Sequence, residues 1–317
     1  GGGFDPVSGE GEDAVMGDLA LCIHGHFYQP PRENAWIEEI EAQESAHPFH
    51  DWNEKIHYEC YLPNAKSRIL DKKGHIVNIV NNFEMISFNF GPTLLAWLEK
   101  KYPETYRLIL EADRTSRAKH GGSGNAIATV YNHMILPLAS RRDKVTQIAW
   151  GLCDFQYRFG RNPESIWLPE TACNEETLEV LAEQGVKFII LSPYQAEAVS
   201  PLGEEKWEDV SRGTIDPKMP YRCFLRKDAE KYIDVFFYDG PISKDVGFGD
   251  LAFDAKRLMD RVDGAKNSNG NPSQLVHIAT DGETYGHHKP FGDRVLAYIV
   301  AVEAEARGYR TVNYAEF

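Results

Sequence analysis

The sequence predicts an α/β fold whose strands close into a TIM-like barrel. Three observations carry this: apolar strand candidates alternate with helical patterns, acids and imidazoles stand where apolar runs end, and no glycine-rich phosphate fingerprint follows the first strand. Strands alternating with helices imply a parallel sheet covered by helices. Seven or so such units without a dinucleotide or P-loop motif point to a barrel rather than an open nucleotide-binding sheet.

The strand candidates fall at 19–24, 76–80, 164–168, 187–192, 232–238 and 274–279, with weaker ones near 133–138 and 309–314. Between them, 93–110 follows Gly91-Pro92 and repeats apolar residues at helical spacing from Leu94 to Leu110. Segment 174–184 opens on Asn174 as N-cap, carries acids in its first turn and stops at Gly185. Segment 294–306 repeats the scheme and ends at Gly308. Gly121-Gly122-Ser123-Gly124 reads as a flexible turn before a helix-like stretch at 125–132.

Residues 1–18 are Gly-rich, acidic and aperiodic and read as a disordered leader, with Met16 a candidate start. The catalytic domain is expected over 19–317, with insertions at about 31–68 and 195–231. The first insertion is rich in aromatic and charged residues and, in a barrel, would overhang the active face.

Composition excludes several classes. A chain of 317 residues with 42% hydrophobic and 26% charged residues buries a full core. A net charge of −14 argues against nucleic acid and anionic membranes, and suits a neutral substrate such as a sugar. Aromatics at 12%, including six Trp, serve either core packing or stacking against carbohydrate rings. Five widely spaced cysteines with no CxxC pair form neither a zinc cluster nor a disulfide framework, so a cytoplasmic location is expected. No secretory signal and no membrane span are read from the sequence.

The chemistry-bearing residues sit at strand ends, where a side chain is fixed better than on a loop. His24 and His26 close the run Leu21-Cys22-Ile23-His24-Gly25-His26, two positions apart and therefore on one face. A metal pair, substrate hydrogen bonding and a structural role all use that geometry. The following stretch, containing Tyr28, suits a ligand rim. Trp167-Leu168-Pro169-Glu170 presents Glu170 beyond its strand, because Pro169 ends the ladder; a role as an acid ahead of the next helix is the alternative. Asp281-Gly282-Glu283-Thr284-Tyr285-Gly286-His287-His288 gathers two acids and two histidines after a wholly apolar strand. Asp281, nearest the strand end, is the candidate catalytic acid, with Glu283 behind it and His287 or His288 against a ligand or solvent. Asp239 ends a further strand and either binds substrate or acts through a turn to Ser243. His133 reads as a core histidine or a ligand contact.

In this order, segments 24–30, 87–90, 133–138, 167–170 and 281–283 resemble glycoside hydrolase family 57 from about residue 19 to the C-terminus. That family includes α-amylases, 4-α-glucanotransferases, branching enzymes and amylopullulanases acting on α-glucans. The resemblance implies a distorted (β/α)7 barrel with long inserted loops, here with little or no helical domain after it. It also implies Glu170 as nucleophile and Asp281 as general acid/base of a retaining mechanism on an oligo- or polysaccharide, with no cofactor and no metal. His24, His26, Tyr28, His133, Trp167, Asp239, Glu283 and His287 are the expected substrate contacts. Thr284-Tyr285-Gly286-His287-His288 departs from the Lys-Phe-Gly usual after the acid and marks a divergent, bacterial-type branch. Two other readings remain open: a metal-dependent sugar hydrolase or deacetylase holding Zn²⁺ on His24, His26, Asp281 and His133, and a non-catalytic glucan-binding protein.

Overall fold

The computed structural model describes residues 18–267 and 273–317. The strands are β1 (Asp18–Phe27), β2 (Ser67–Leu70), β3 (Ile76–Val80), β4 (Ser87–Phe90), β5 (Ala128–Thr129), β6 (Ile166–Trp167), β7 (Phe188–Leu191), β8 (Ala198–Val199), β9 (Glu208–Asp209), β10 (Tyr221–Leu225), β11 (Asp228–Phe237), β12 (Ser273–Asp281) and β13 (Arg310–Thr311). The expected leader lies outside the described residues except for Asp18, which already belongs to β1.

β1 organises the fold. Its run is apolar on both faces and buried from Ala20 onward, as a parallel strand covered on each side must be. Along one edge it pairs in parallel with β12, from Asp18 opposite Ser273 to His26 opposite Asp281. Along the other it pairs first with β13 at Ala20 and Leu21, then with β4 from His24 opposite Ser87 to Phe27 opposite Phe90. The parallel order continues from β4 to β5 through the Phe88–Ala126 bridge, from β5 to β6, to β7 through the Ser165–Phe188 bridge, and on to β11. Between β11 and β12 the Asp239 N–H donates to the His277 carbonyl at 2.9 Å in place of a ladder. Seven parallel strands thus follow one another in ring order, the α/β architecture expected.

Period-two alternation divides the apolar residues between two cores. Ala20, Cys22, Trp167, Phe188, Ile190, Phe236, Leu275 and Ala279 point to one side, where Val312 and Tyr314 from the C-terminal segment join them. Leu21, Ile23, Ile189, Val235, Val276 and Ile278 point to the other and pack under the helices. The arrangement is that of strands with a filled interior and an outer helical layer.

Several sequence expectations are corrected. Segment 76–80 is a strand, but it is the outer member of the β2–β3 hairpin, with Ile76, Val77 and Ile79 exposed. Its place beside β1 is taken by β4, whose four residues are all buried. Segment 125–132 is not helical: it carries β5, fully buried. Segment 133–138 forms no strand, because His133 adopts a positive φ of 55° and Leu136–Leu138 closes a single 3-10 turn around Pro137. The single helix expected at 93–110 is two, Pro92–Lys101 and Pro103–Lys119, because Pro103 lacks an N–H and bars Tyr102 from helical geometry.

Two helix expectations hold. Helix Glu175–Glu183 is capped by Asn174, whose side chain accepts from the Thr177 N–H at 3.0 Å, and Gly185 follows with φ 81°. The last helix runs from Gly292 through a π turn at Ile299–Glu303 to Ala306, and Gly308 follows it with φ 80°. Within the span 31–68 lie Trp52–Ile56, a π turn at His57–Tyr61 and Leu62–Ala65. Within 195–231 lie the β8–β9 pair, β10 and the first half of β11. Among the described residues no helix is long and apolar enough to cross a membrane.

Candidate active site

The site forms at the C-terminal ends of β1, β4, β6 and β12. His24 and His26 lie on the inner face of β1 and are buried. The parallel register sets Ser87 and Asn89 of β4 beside them, so four polar side chains meet in the interior. His24 bonds the Ser87 hydroxyl through Nδ1 at 2.9 Å and the Asn89 carbonyl oxygen through Nε2 at 3.1 Å. Asn89 Nδ2 lies 2.9 Å from His26 Nδ1, and His26 Nε2 lies 2.9 Å from His133 Nε2. Burial pushes both β1 imidazoles down to about 3, with His133 and His24 adding to the effect at His26. They are neutral at physiological pH.

A stack of rings backs this chain. Tyr28 lies on His133 at 3.8 Å and 10°, and His133 on His26 at 5.1 Å. Trp167 lies against His26 at 5.2 Å and His24 at 4.8 Å. Trp167 is 7% exposed, so it forms a wall of the site rather than an open platform for a sugar ring. Its indole N–H has no partner among the described residues.

Glu170 stands just past β6 on a turn forced by Pro169. Its backbone is left-handed (φ 56°, ψ 19°), as is that of Thr171 (φ 50°). Two successive non-glycine residues there store strain of about 1–3 kcal/mol each. The turn is held by Thr171 N–H to Leu168 O at 2.8 Å, Ala172 N–H to Pro169 O at 3.0 Å, and the Gln195 amide to Thr171 O at 2.7 Å. The result is an exposed carboxylate at a fixed position.

Asp281 ends β12 opposite His26. Desolvation raises its carboxyl above the usual range; the negative charge of Glu170 adds to this and His288 opposes it. The two acids expected to act together are therefore near enough to feel each other's charge. Glu170 also acts on His133, where it opposes the lowering caused by burial.

Glu283 is buried beneath this pair. One carboxylate oxygen accepts from the Tyr61 hydroxyl at 2.6 Å and from the Tyr28 N–H at 3.1 Å, tying the rim tyrosine to the 281–288 turn. Burial pushes its carboxyl up to about 7, with Asp281 contributing. His287 is engaged elsewhere, through Nδ1 to Glu59 at 2.6 Å and edge-on to Trp52. Asp239 caps helix Gly240–Phe248, its side chain accepting from the Ile242 N–H at 2.9 Å, and its carbonyl accepts from Ser243 N–H. The turn to Ser243 is thus the role its geometry displays.

The structure brings His24, His26, Tyr28, His133, Trp167, Glu170, Asp281 and Glu283 into one region, and leaves His287 and Asp239 in structural bonds beside it. Sequence reasoning assigned no role to Tyr61, nor to Ser87 and Asn89 beyond the resemblance of segment 87–90. A signal was present for Ser87 and Asn89: in Ser87-Phe88-Asn89-Phe90 the polar residues alternate with the aromatic ones and so share a face. Tyr61 gave no such signal. His24 spends both ring nitrogens on β4, so His24-x-His26 does not offer two free metal ligands. Among the described residues no group of three or more His, Cys, Asp or Glu is arranged to hold a metal ion.

Parallel strands in ring order, with carboxylates and imidazoles gathered at their C-terminal ends, define an α/β protein of the kind that builds active sites at strand ends. The chain belongs to glycosyl hydrolase family 57, whose sequence pattern matches residues 20–317. It is 31% identical over 108 residues to "Alpha-amylase 1" of Dictyoglomus thermophilum, covering 33% of this chain and 15% of that protein. Over 272 residues it is 22% identical to an α-amylase of Pyrococcus furiosus, covering 86% of this chain and 34% of that one. Its fold superposes on the crystal structure of a 4-α-glucanotransferase from Thermococcus litoralis with a TM-score of 0.66 at 18% identity, covering 95% of this chain and 40% of that one. The chain spans about a third or less of the length of these curated relatives.

Proposed function

We propose that the protein is a retaining, α-glucan-active glycosidase or transglycosylase, with Glu170 as nucleophile and Asp281 as general acid/base. The observation that carries the reading is the placement of two carboxyls on one rim of the strand ring, Glu170 on the turn just past β6 and Asp281 at the end of β12. Family membership and relatives named α-amylase and 4-α-glucanotransferase support the substrate class.

Double displacement requires the two carboxyl groups about 5–5.5 Å apart across the anomeric carbon. Ionised Glu170 attacks C1 and forms a glycosyl ester as the C1–O bond to the leaving group breaks. Protonated Asp281 gives its proton to the departing oxygen. Forming the ester removes the charge of Glu170, which lowers the affinity of Asp281 for a proton. It then takes one from water or a sugar hydroxyl, whose oxygen attacks C1 and releases Glu170. Neutral His133 hydrogen-bonds a sugar oxygen beside the nucleophile, with His26 behind it as its hydrogen-bond donor, and Tyr28 offers its outer ring face. The polyanionic chain suits an uncharged polysaccharide in the cytoplasm, and neither nucleic acid nor membrane is part of this reading.

The test is the product profile and anomeric configuration from maltoheptaose, with Glu170→Gln alongside. Retained α-products are expected, and loss of the nucleophile should cost about 10³-fold or more in rate. Products longer than the substrate would mean transfer; shorter ones alone would mean hydrolysis. Inverted products, or an active Glu170→Gln variant, would overturn the assignment.

A further inference from the structure

Ser87, His24, Asn89, His26 and His133 form an unbroken line of hydrogen bonds, and its direction is fixed by one group. The Asn89 carbonyl oxygen, 3.1 Å from His24 Nε2, can only accept, so His24 carries its proton on Nε2. His24 Nδ1 is then bare and accepts from the Ser87 hydroxyl at 2.9 Å. His26 Nδ1 lies 2.9 Å from Asn89 Nδ2, nearer than the Asn89 carbonyl oxygen at 3.3 Å, and Nδ2 can only donate, so His26 is bare at Nδ1 and protonated at Nε2. His26 Nε2–H therefore donates to His133 Nε2 at 2.9 Å. A neutral His133 whose Nε2 accepts must carry its proton on Nδ1. That nitrogen has no partner among the described residues, and His133 is only half-buried.

We infer that Asn89 is a positioning residue for the site: by setting the direction of this chain it makes His133 a neutral Nδ1–H donor towards substrate. The inference rests on the reading of the site as a sugar-binding cleft, and it specifies what the substrate must offer. The oxygen that meets His133 accepts a hydrogen bond, as a glycosidic or hydroxyl oxygen can, and His133 does not accept a substrate proton through Nδ1. Tyr28 lying on one face of the His133 ring, and His26 meeting its edge through the Nε2–Nε2 bond, hold the ring in the orientation this needs. Turning the Asn89 amide by 180° would reverse every bond in the line and present a bare Nδ1 instead, so the direction is a measurable two-way choice.

The experiment is ¹⁵N-histidine NMR on the full chain without ligand, with resonances assigned by single substitutions such as His133→Gln. Protons on Nε2 of His24 and His26 and on Nδ1 of His133 are expected. A His133 protonated on Nε2 overturns the inference. Asn89→Asp supplies the second readout. Its carboxylate accepts from both neighbours, which moves the His26 proton to Nδ1 and the His133 proton to Nε2, and kcat/KM should fall at least about tenfold as a donor is lost. An unchanged His133 tautomer in a folded Asn89→Asp variant would also overturn the proposal. Failure of the catalytic reading is separate: an active Glu170→Gln with the expected tautomers removes the nucleophile assignment and leaves the hydrogen-bond chain standing.

Discussion

At the scale of single residues the site shows how burial divides the work among similar groups. Asp281, Glu283 and Glu170 are all carboxylic acids, yet Glu170 is exposed on a strained turn, Asp281 is open to solvent on one side but raised by the protein packed around the other, and buried Glu283 is raised to about 7. Glu283 has a consequence for stability. A carboxyl whose folded pKa lies above its ordinary 4.5 binds a proton more tightly in the folded than in the unfolded state. Its contribution to stability therefore falls as pH rises from 4.5 to about 7 and changes little outside that window. Glu283→Gln keeps an acceptor for Tyr61 and Tyr28 without the titrating group. Urea unfolding between pH 4.5 and 7.5 should show wild type losing stability relative to Glu283→Gln as pH rises. Parallel curves would mean the carboxyl is not raised. The acids and histidines of these turns were legible in the sequence because strand-end placement is local; their ranking by burial was not, since it depends on Tyr61 and Tyr28 arriving from elsewhere in the chain.

At the scale of elements, helix Arg141–Phe159 is the instructive case. Its start and stop are both local: the Ser140 side chain accepts from the Asp143 N–H, and Gly160 takes the left-handed conformation that ends it. Ser140 and Gly160 are thus cap signals that the sequence carries, although the helix was not read from them. What the sequence does not display is why Gly151 stands in its middle. A Cβ there would meet the Thr129 carbonyl oxygen of β5 at 2.1 Å, so the missing side chain lets the helix lie directly on a two-residue strand. Gly151→Ala gains helix propensity of about 1 kcal/mol but forces backbone apart, and overpacking costs about 1–3 kcal/mol or more. The variant should lower the thermal midpoint; a raised midpoint would show that helix and strand can separate without cost. β5 itself was misread as helix because two buried residues are too few to establish a period.

At the scale of the whole molecule, the fold depends on segments far apart in sequence. β1 takes β12 along one edge and β13 and β4 along the other, so the first described strand is completed by the last two. The chain beyond β13 then turns inward. Tyr314 is buried among Phe188, Phe236 and His277, and its hydroxyl donates to His277 Nδ1 at 3.0 Å, while His277 Nε2–H donates to the Pro217 carbonyl. Tyr314→Ala removes a large side chain from an enclosed interior and should destabilise by about 3–5 kcal/mol in denaturant unfolding. A loss below about 1 kcal/mol would mean that the segment does not fill the core.

The sequence by itself determined the α/β class, most of the ring strands, the helix capped by Asn174 and the strand-end positions of Glu170, Asp281, His24 and His26, because each rests on periodicity, a cap or a strand end that neighbouring residues carry. Only the tertiary structure decided that β4 rather than β3 sits beside β1, that Asn89 joins the two histidines, that Trp167 is a wall, and that His287 and Asp239 are held in structural bonds. Those outcomes follow from parallel register and burial. Both are relations between segments tens to hundreds of residues apart, and no local pattern encodes them.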